Sequence, residues 1–251
     1  MDIRDSIQQT KTEFEKSFAA GDFYNKQTRD EKHLQDILDF LPLSANAKVL
    51  DLGTGSGYLS FAVAKRYPNV SVVGLDIVEK TLQDNREKAQ EENIDNLKFV
   101  GYDGTDFPFG DGEFDLIVSR YALHHFPKIQ SSIAEVSRVL KRGGHFFVSD
   151  PAPNDNDDER FVDAYMQLKQ DGHIKFYTLD EWESICEECG LRLEKSFYSD
   201  IRFPRKKDTS YGFDELMNKF DKDIIAGYQL EVIGNEIYVT EKVNNVLFCK
   251  R

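Results

Sequence analysis

Three glycines alternate with other residues after a short apolar run, and this spacing could hold a nucleotide-like ligand. The run is Val49-Leu50-Asp51-Leu52, followed by Gly53-Thr54-Gly55-Ser56-Gly57 and then by a segment of helical pattern. Glycines at such a bend let the main chain turn tightly and let a ligand lie against it with no Cβ in between. In open α/β sheets, ligands bind at the carboxyl ends of the strands. We therefore expect Gly53, Thr54, Gly55 and Gly57 to form a ligand-binding turn between a strand and a helix.

The glycine spacing separates two classes of ligand. Dinucleotide enzymes use G-x-G-x-x-G and seat a pyrophosphate on the helix N-terminus, whereas this chain has G-x-G-x-G, with Tyr58 where the third glycine would stand. Asp51 lies just before the turn, where its carboxylate would repel a pyrophosphate but attract an amino group, directly or through a water. The turn therefore favours a nucleoside that carries a cationic amino-acid group, such as a methionine moiety.

Two further carboxylates follow the next two apolar runs. Asp76 lies 19 residues after Gly57 and could accept hydrogen bonds from both ribose hydroxyls, as acidic residues do in dinucleotide folds. Ile77 could pack on the adenine face, and Asp103 could accept a hydrogen bond from the adenine amino group. Taken singly, Asp76 could be a helix cap and Asp103 a turn residue. It is the order and spacing of these residues that favour a ligand site.

The elements that must position these residues alternate between strand and helix patterns. Apolar runs predict strands near residues 49–52, 70–75, 97–100, 114–119, 145–149, 191–201 and 246–249, and helical spacing predicts helices over 58–67, 79–93, 127–140, 179–189 and 213–225. Gly234-Asn235, between two short apolar runs, is typical of a hairpin turn. The alternation predicts an α/β, Rossmann-like fold with a mostly parallel sheet and helices on both faces.

Two segments lie outside this alternation. Residues 1–47 have helical apolar spacing that is interrupted near Gly21, so we expect an N-terminal helical cap. Residues 48–251 are then one domain, in which residues 151–178 are an insertion after the fifth strand. Such an insertion could cover the crevice and the substrate.

The composition limits the function classes. The 251 residues carry a net charge of −13, which repels phosphate backbones and argues against nucleic acid as the substrate. No apolar run approaches the ~18 residues that a membrane span needs, and the polar start lacks a secretory signal, so a cytoplasmic location is expected. A small-molecule substrate fits this composition, and the oligomeric state is left open.

The three cysteines predict neither a disulfide framework nor a metal site. Cys186 and Cys189 form a C-x-x-C, but they share helical apolar spacing with Leu179 and Trp182, which favours packing in a core. No second ligand pair accompanies them, and no other His, Cys or Asp residues have metal-ligand spacing. We therefore predict no metal.

Residues 48–150 resemble the class I S-adenosylmethionine-dependent methyltransferases, and most of all their UbiE-type small-molecule subgroup. The resemblance is carried by residues 49–57, 74–76, 103, 107–119, 123–126 and 135–144. It implies a seven-stranded sheet with the last strand antiparallel, and S-adenosyl-L-methionine as the cofactor, with S-adenosyl-L-homocysteine as its product. The cofactor-binding residues that follow are Asp51, Gly53, Thr54, Gly55, Gly57, Asp76, Ile77, Asp103, Gly104, Ser119 and, in the cap, Tyr24.

A sulfonium methyl is already activated, so methyl transfer depends mainly on aligning the acceptor with it. An acceptor hydroxyl or acidic carbon also needs a base. His124 and His125 follow the fourth strand and could supply that base, or could instead satisfy backbone groups before the next helix. Tyr121 could line the pocket near the methyl or be a packed aromatic.

Substrate contacts are expected on either side of these residues. Arg120 could hold an acidic substrate or pair with a carboxylate of the protein. His173 and Tyr177, in the insertion, are further candidates for substrate binding.

Three alternatives remain open on the sequence alone. A catalytically silent S-adenosylmethionine-binding module would use the same glycines and Asp76 but would have a filled substrate pocket. A nicotinamide oxidoreductase is disfavoured because G-x-G-x-x-G is missing. Aminopropyl transfer from a decarboxylated donor would not need groups that bind the donor carboxylate.

Overall fold

The computed structural model describes residues 3–19, 30–169, 171–207 and 212–251. Its elements are, in chain order, α1 (Ile3–Ala19), α2 (Glu31–Phe40), β1 (Lys48–Leu52), α3 (Tyr58–Arg66), β2 (Ser71–Asp76), α4 (Glu79–Glu91), β3 (Leu97–Gly101), β4 (Phe114–Arg120), a 3₁₀ turn (Leu123–His125), α5 (Ile129–Val139), β5 (Leu140–Ala152), α6 (Phe161–Gln167), α7 (Leu179–Glu188), β6 (Leu191–Lys206), α8 (Phe213–Lys219), α9 (Lys222–Gly227), β7 (Glu231–Ile233) and β8 (Glu236–Lys250).

One sheet runs through the chain in the strand order β3-β2-β1-β4-β5-β8-β6. β1 to β5 pair in parallel, and β8 is antiparallel to both β5 and β6. These seven strands confirm the predicted Rossmann-like α/β class and the antiparallel last strand. The short β7 adds an eighth strand, paired with β8 across the hairpin turn at Gly234-Asn235.

Both faces of the sheet are buried, which explains why β1 and β2 are almost continuously apolar. On one face, Ile37 of α2 and Val63 of α3 pack against the strands and are fully buried. On the other face, Ile133 of α5 and Trp182 of α7 do the same. The helices therefore fix the sheet from both sides and present the carboxyl ends of β1, β2 and β4 at one edge.

The C-terminal third differs from the sequence prediction in two ways. The single helix expected over 213–225 is two helices, because Phe220 is extended and the Asp221 side chain caps α9 by accepting from the Asp223 N–H at 2.7 Å. In addition, β6 and β8 are longer than expected, and they pair as far as Lys206 opposite Glu236. Apolar spacing alone missed this extension because outer strands alternate between buried and exposed residues.

The extended arm of β6 and β8 carries a third core with the insertion. Phe161 and Tyr165 of α6 pack there with Phe203 of β6, Ile237 of β8 and Tyr228, which follows α9. Residues 151–178 are therefore held by the C-terminal arm as well as by the main sheet. This packing sets the position of the segment that follows α6.

Cys186 is buried beside Trp182 in the main core, and Cys189 is partly buried against the same core. Burial raises the pKa of both thiols. The packing interpretation of this pair is confirmed. Across the described residues, no helix combines the length and the apolar character that crossing a membrane requires.

The attachment of the insertion depends on one buried hydroxyl. Tyr228 Oη donates to Asp157 Oδ2 at 2.6 Å and accepts from the Asn154 N–H at 2.9 Å. The Asp157 carboxylate also accepts from the first two N–H groups of α6.

Tyr228→Phe leaves Asp157 and the Asn154 N–H short of a partner, and we expect a loss of about 1–3 kcal/mol in the free energy of unfolding. Urea denaturation measures it. The matched control is Tyr198→Phe, because the Tyr198 ring is 52 % exposed. This variant should change the free energy of unfolding by less than about 0.5 kcal/mol. Equal losses in both variants would contradict the role of the Tyr228 hydroxyl.

Candidate active site

A cleft opens at the carboxyl ends of β1, β2 and β4, where the strand order reverses direction around β1. The space outside the protein atoms along it, with the open solvent at its mouth included, is about 1090 Å³, and this switch point is where α/β sheets bind ligands. Its lining comes from three sources: the loops after β1, β2, β3 and β4, the N-terminal helix α1, and the segment that follows α6.

The glycine turn has a backbone that other residues rarely adopt. Gly53, Gly55 and Gly57 have φ values of +70°, +50° and +73°. A Cβ on Gly53 would lie 2.4 Å from the Cβ of Ala122, so this position also requires the absence of a side chain. The N–H groups of Gly53 and Thr54 donate to the Leu75 carbonyl at 2.9 and 3.1 Å, which ties the turn to β2. Gly53 and Gly55 line the cleft.

Asp51 lies beneath the turn, outside the cleft lining. Its Oδ2 accepts from Thr54 Oγ1 at 2.8 Å, from Ser60 Oγ at 2.6 Å and from the Ser60 N–H at 3.1 Å. Burial raises the pKa of Asp51, against these hydrogen bonds, which act to lower it. The geometry makes Asp51 a clamp that holds the turn in shape through Oδ2, and its contact with an amino group of the ligand stays a prediction.

Three other predicted cofactor residues also sit behind the cleft surface. The Thr54 side chain is buried against Asp51, and Gly57 is the residue before α3, where a Cβ would lie 2.7 Å from the Phe61 ring. Ser119 Oγ donates to the Leu52 carbonyl at 2.9 Å and is buried. Each supports the shape of the turn or of the strands below it. Tyr24 lies outside the described residues.

Asp76 faces the cleft at the end of β2. Its Oδ2 accepts from the Gly55 N–H at 2.8 Å and its Oδ1 from the Val78 N–H at 3.0 Å. Each oxygen of a carboxylate can accept more than one hydrogen bond, so capacity remains for two hydroxyl donors. Burial raises the pKa of Asp76, and the backbone hydrogen bonds act in the opposite direction. Ile77 and Val78 continue the lining beside it.

The loop after β3 closes this end of the cleft. Gly104 and Tyr102 line it, and a Cβ on Gly104 would lie 3.0 Å from Cγ2 of Ile7 in α1. Asp103 is exposed and lies outside the lining; its Oδ1 accepts from Thr105 Oγ1 at 2.7 Å and from the Thr105 N–H at 2.9 Å. The hydrogen bond from the Thr105 hydroxyl lowers the pKa of Asp103. Asp103 therefore stabilises the turn after β3 in this structure. This agrees with the alternative, stated from the sequence, that Asp103 is a turn residue.

The other end of the cleft begins at Arg120 and Tyr121. The Arg120 guanidinium lies over two aromatic rings, 4.3 Å from the Tyr121 centroid and 4.8 Å from that of Tyr58. Tyr121 has a φ of +54°, a left-handed conformation that costs a non-glycine residue about 1–3 kcal/mol. Such strain collects at functional sites, and here it turns the chain from β4 toward the two histidines.

His124 is held from below by a buried carboxylate. Its Nδ1 lies 2.9 Å from Asp150 Oδ1, and its backbone N–H donates to Asp150 Oδ2 at 3.2 Å. Burial lowers the pKa of His124 and raises that of Asp150. Because burial disfavours charge on both groups, they form a neutral hydrogen-bonded pair.

His125 lines the cleft and has an unused nitrogen. The ring is 8 % exposed, and its Nδ1 has no hydrogen-bond partner among the described residues. Phe14 of α1 packs edge-on against it at 5.1 Å between ring centroids. Burial lowers the pKa of His125 to about 3. The ring is therefore a neutral imidazole at physiological pH.

His173 stands behind this pair and Tyr177 lies apart from it. His173 Nε2 is 2.9 Å from Asp163 Oδ1, and its ring is 5.4 Å from that of His124. The Tyr177 ring packs on Trp182 at 4.8 Å. The structure therefore places His173 as a support for the two cleft histidines, and neither His173 nor Tyr177 is part of the cleft lining.

Sequence reasoning missed two groups of lining residues. Met166, in the last turn of α6, and Lys169 and Asp171, which follow that helix, reach the cleft, and no motif marked them. Burial acts to raise the pKa of Asp171, but nearby cationic groups, Lys169 among them, lower it to about 2. Asp171 is therefore an ionised carboxylate close to His125.

The second group consists of the lining residues of α1, which belongs to the N-terminal cap that the family resemblance places over the substrate pocket. Ile7, Thr10, Phe14 and Phe18 line the cleft from one stripe of this helix, and the sequence did not single them out as lining residues. Thr10 is buried, and its Oγ1 has no hydrogen-bond partner among the described residues. Thr10 Oγ1 and His125 Nδ1 are therefore two buried polar atoms of cleft-lining residues that lack a partner among the described residues, and such atoms call for an explanation, such as a ligand.

Comparisons with known proteins agree with this geometry. Residues 43–190 match the family described as Methyltransferase domain. YcgJ of Bacillus subtilis, an uncharacterized methyltransferase, is 34 % identical over 143 residues, which are 56 % of this chain and 55 % of YcgJ. The ubiquinone/menaquinone biosynthesis C-methyltransferase UbiE of Dinoroseobacter shibae is 32 % identical over 113 residues, 45 % of each chain. The chain thus spans about half the length of these relatives.

Solved structures extend the similarity over most of the chain. The crystal structure of YcgJ has a TM-score of 0.75 at 25 % identity and covers 88 % of this chain and 99 % of YcgJ. The phosphoethanolamine N-methyltransferase 2 of Haemonchus contortus was solved with phosphomonomethylethanolamine and S-adenosylhomocysteine. Its structure has a TM-score of 0.65 at 17 % identity, and the match covers 98 % of this chain and 60 % of that one. This similarity supports the fold. The family supports S-adenosylmethionine as the cofactor. The glycine turn, the carboxylate that ends β2 and the match over residues 43–190 establish that this chain belongs to the methyltransferase-domain family.

Proposed function

We propose that this chain transfers the methyl group of S-adenosylmethionine to a small-molecule acceptor. One observation carries the proposal: the cleft joins a glycine turn and the Asp76 carboxylate at one end to a buried, neutral histidine with an unused nitrogen at the other. A nucleoside needs the first set of groups, and a proton-releasing acceptor needs the second. A roof from α1 covers both ends.

The residues at the β2 end suit a nucleoside joined to an amino acid. Asp76 has capacity for both ribose hydroxyls, and Ile77 offers an apolar surface beside it for the base. Gly53 and Gly55 have no side chains, so their main-chain atoms form the cleft surface against which the amino-acid arm of the cofactor would lie. When bound, S-adenosylmethionine supplies a methyl group that its sulfonium has already activated.

The residues at the β4 end position the acceptor and take its proton. His125 is neutral because burial lowers its pKa to about 3, and a base that weak can serve only to the extent that the ionised Asp171 raises this pKa during proton transfer from an acceptor hydroxyl or acidic carbon. The imidazolium that forms lies close to the ionised Asp171, which stabilises it. His124 and Tyr121 are the neighbouring candidates for contact with the reacting atoms, but the hydrogen bond to Asp150 already uses Nδ1 of His124.

The charges at this end favour an acceptor with an apolar body and an acidic group. Arg120 and Lys169 are two cations on the lining, and Lys169 forms an ion pair with Asp171 at 3.4 Å. Phe14, Phe18 and Met166 supply the apolar surface. His173 would then act through its contact with the other histidines, and we assign Tyr177 no direct contact.

The alternative is a catalytically silent module that binds S-adenosylmethionine. Such a module would have the acceptor end filled by its own side chains. Here the acceptor-end residues line open space of the same cleft as Asp76, which favours an enzyme.

Asp76→Asn tests the cofactor end. The amide keeps the shape of the side chain but loses the charge and half of the acceptor oxygens, and a hydrogen bond to a charged group contributes about 1.5–3 kcal/mol. We expect S-adenosylhomocysteine affinity, measured by calorimetry, to fall at least about tenfold. Asp84→Asn, on the exposed face of α4 where Asp84 pairs with Lys80, is the matched control and should bind as the parent chain does. Unchanged affinity in Asp76→Asn would remove Asp76 from the ribose site.

His125→Gln tests the acceptor end. The chain is incubated with methyl-labelled S-adenosylmethionine and a protein-free, small-molecule ultrafiltrate of a cell extract, and labelled product is counted. Because general base catalysis contributes about 10²–10⁴-fold, we expect product formation to fall at least a hundredfold, with the affinity for S-adenosylhomocysteine retained. Asp84→Asn should keep the parent rate. A His125→Gln chain that methylates at the parent rate would show that His125 is not the base.

The buried histidine also predicts how stability depends on pH. The folded pKa of His125 is near 3, whereas an unfolded histidine titrates near 6.5. Below about pH 6.5, His125 therefore binds a proton in the unfolded chain but not in the folded chain, so stability is lost as the pH falls. The free energy of unfolding, measured with urea between pH 6 and 5, should fall less steeply with pH in His125→Gln than in the parent chain. The difference between the two slopes should be about 1.4 kcal/mol per pH unit. Parallel slopes for the two chains would mean that His125 is charged in the folded state.

A further inference from the structure

Three metal-ligand side chains meet on the last three strands, away from the cleft. His145 of β5 is in register with Cys249 of β8, and Glu194 comes from β6 on the other side of β8. His145 Nε2 lies 3.0 Å from Glu194 Oε2, and the ligand atoms of all three residues lie within 4.8 Å of one another. His145 also pairs with Leu116, near the start of β4, so the group sits at the amino ends of the parallel strands, opposite the active-site cleft.

A break in the strand register brings Glu194 into this group. Leu193 pairs with Phe248 and Lys195 pairs with Leu247, so Glu194 is an extra residue with no partner on β8. Such bulges re-aim a side chain and are features that a fold retains for a purpose. Here the bulge places a half-exposed carboxylate against a partly buried imidazole and a partly buried thiol.

The donor set matches one class of cation. Imidazole nitrogen, thiolate sulfur and carboxylate oxygen are the ligands of Zn²⁺, with bonds of about 2.0–2.3 Å. Tetrahedral coordination at those lengths separates the ligand atoms by about 3.4–3.6 Å, a spacing that small side-chain rotations reach from the present positions. Ca²⁺ and Mg²⁺ prefer all-oxygen sites, so a nitrogen and a sulfur ligand disfavour them.

We propose that His145, Glu194 and Cys249 form a Zn²⁺ site with an open fourth position for water. Binding releases the thiol proton of Cys249 to solvent and requires His145 Nε2 to be unprotonated. The ion would bridge β5, β8 and the edge strand β6, and it would stabilise the folded chain because the three ligands come together only there. Sequence spacing predicted no metal because these residues are 49 and 55 positions apart, and only the sheet joins them.

The test uses the full-length chain without an affinity tag, purified in the presence of a chelator that is then removed. Calorimetric titration with ZnCl₂ should give one site per chain. Cys249→Ser and His145→Gln should each weaken it at least tenfold, and Glu194→Gln should weaken it as well. Cys189→Ser is the matched control, because Cys189 is a partly exposed thiol that lies beside Gln130, and it should bind Zn²⁺ like the parent.

Cobalt reports directly on the sulfur ligand, because the band in the parent chain requires no variant. The parent chain loaded with Co²⁺ should show a sulfur-to-cobalt charge-transfer band, which Cys189→Ser keeps and Cys249→Ser loses. A parent chain that binds no Zn²⁺ or shows no such band would overturn the proposal, and so would a Cys249→Ser chain with parent affinity. None of these readouts involves methyl transfer, so their outcome is separate from that of the proposed function.

Discussion

A single buried carboxylate determines the shape of the glycine turn. Asp51 accepts three hydrogen bonds, from the Thr54 hydroxyl and from the hydroxyl and N–H of Ser60, and so joins the end of β1, the turn and the first turn of α3. Without such partners a buried carboxylate would be costly. With them, the turn is held from below, and its upper surface is left as bare main chain facing the cleft.

The rest of the site is built outward from this turn. The Leu75 carbonyl and the Asp76 carboxylate tie the turn to β2, and the close approach of Gly53 to Ala122 ties it to the segment after β4. That segment carries the strained Tyr121 and then the two histidines. The positions of the nucleoside end and the acceptor end are thus linked through short, buried contacts, which suits a reaction that depends on alignment.

The sequence predicted the fold, and it predicted that Gly53, Gly55 and Asp76 meet at one cleft, because both rest on local patterns. These residues follow predictable strands, and the sheet brings those strand ends to one edge. The sequence could not show that Asp51 and Asp103 also accept hydrogen bonds from neighbouring hydroxyls, and their contact with a ligand stays a prediction. The acceptor end was less predictable. Thr10, Lys169 and Asp171 reach it from helix α1 and from the insertion, and only tertiary packing places those segments over the sheet.

The central claim is that the Asp76 carboxylate and the glycine turn together hold the nucleoside of the cofactor. A crystal structure of the chain with S-adenosylhomocysteine tests it most directly. The account predicts ribose hydroxyl oxygens within about 3.2 Å of the Asp76 carboxylate oxygens, with the amino-acid arm lying against Gly53 and Gly55. A ligand whose ribose lies elsewhere, or a soaked crystal in which Phe14 and Phe18 fill the cleft, would contradict it.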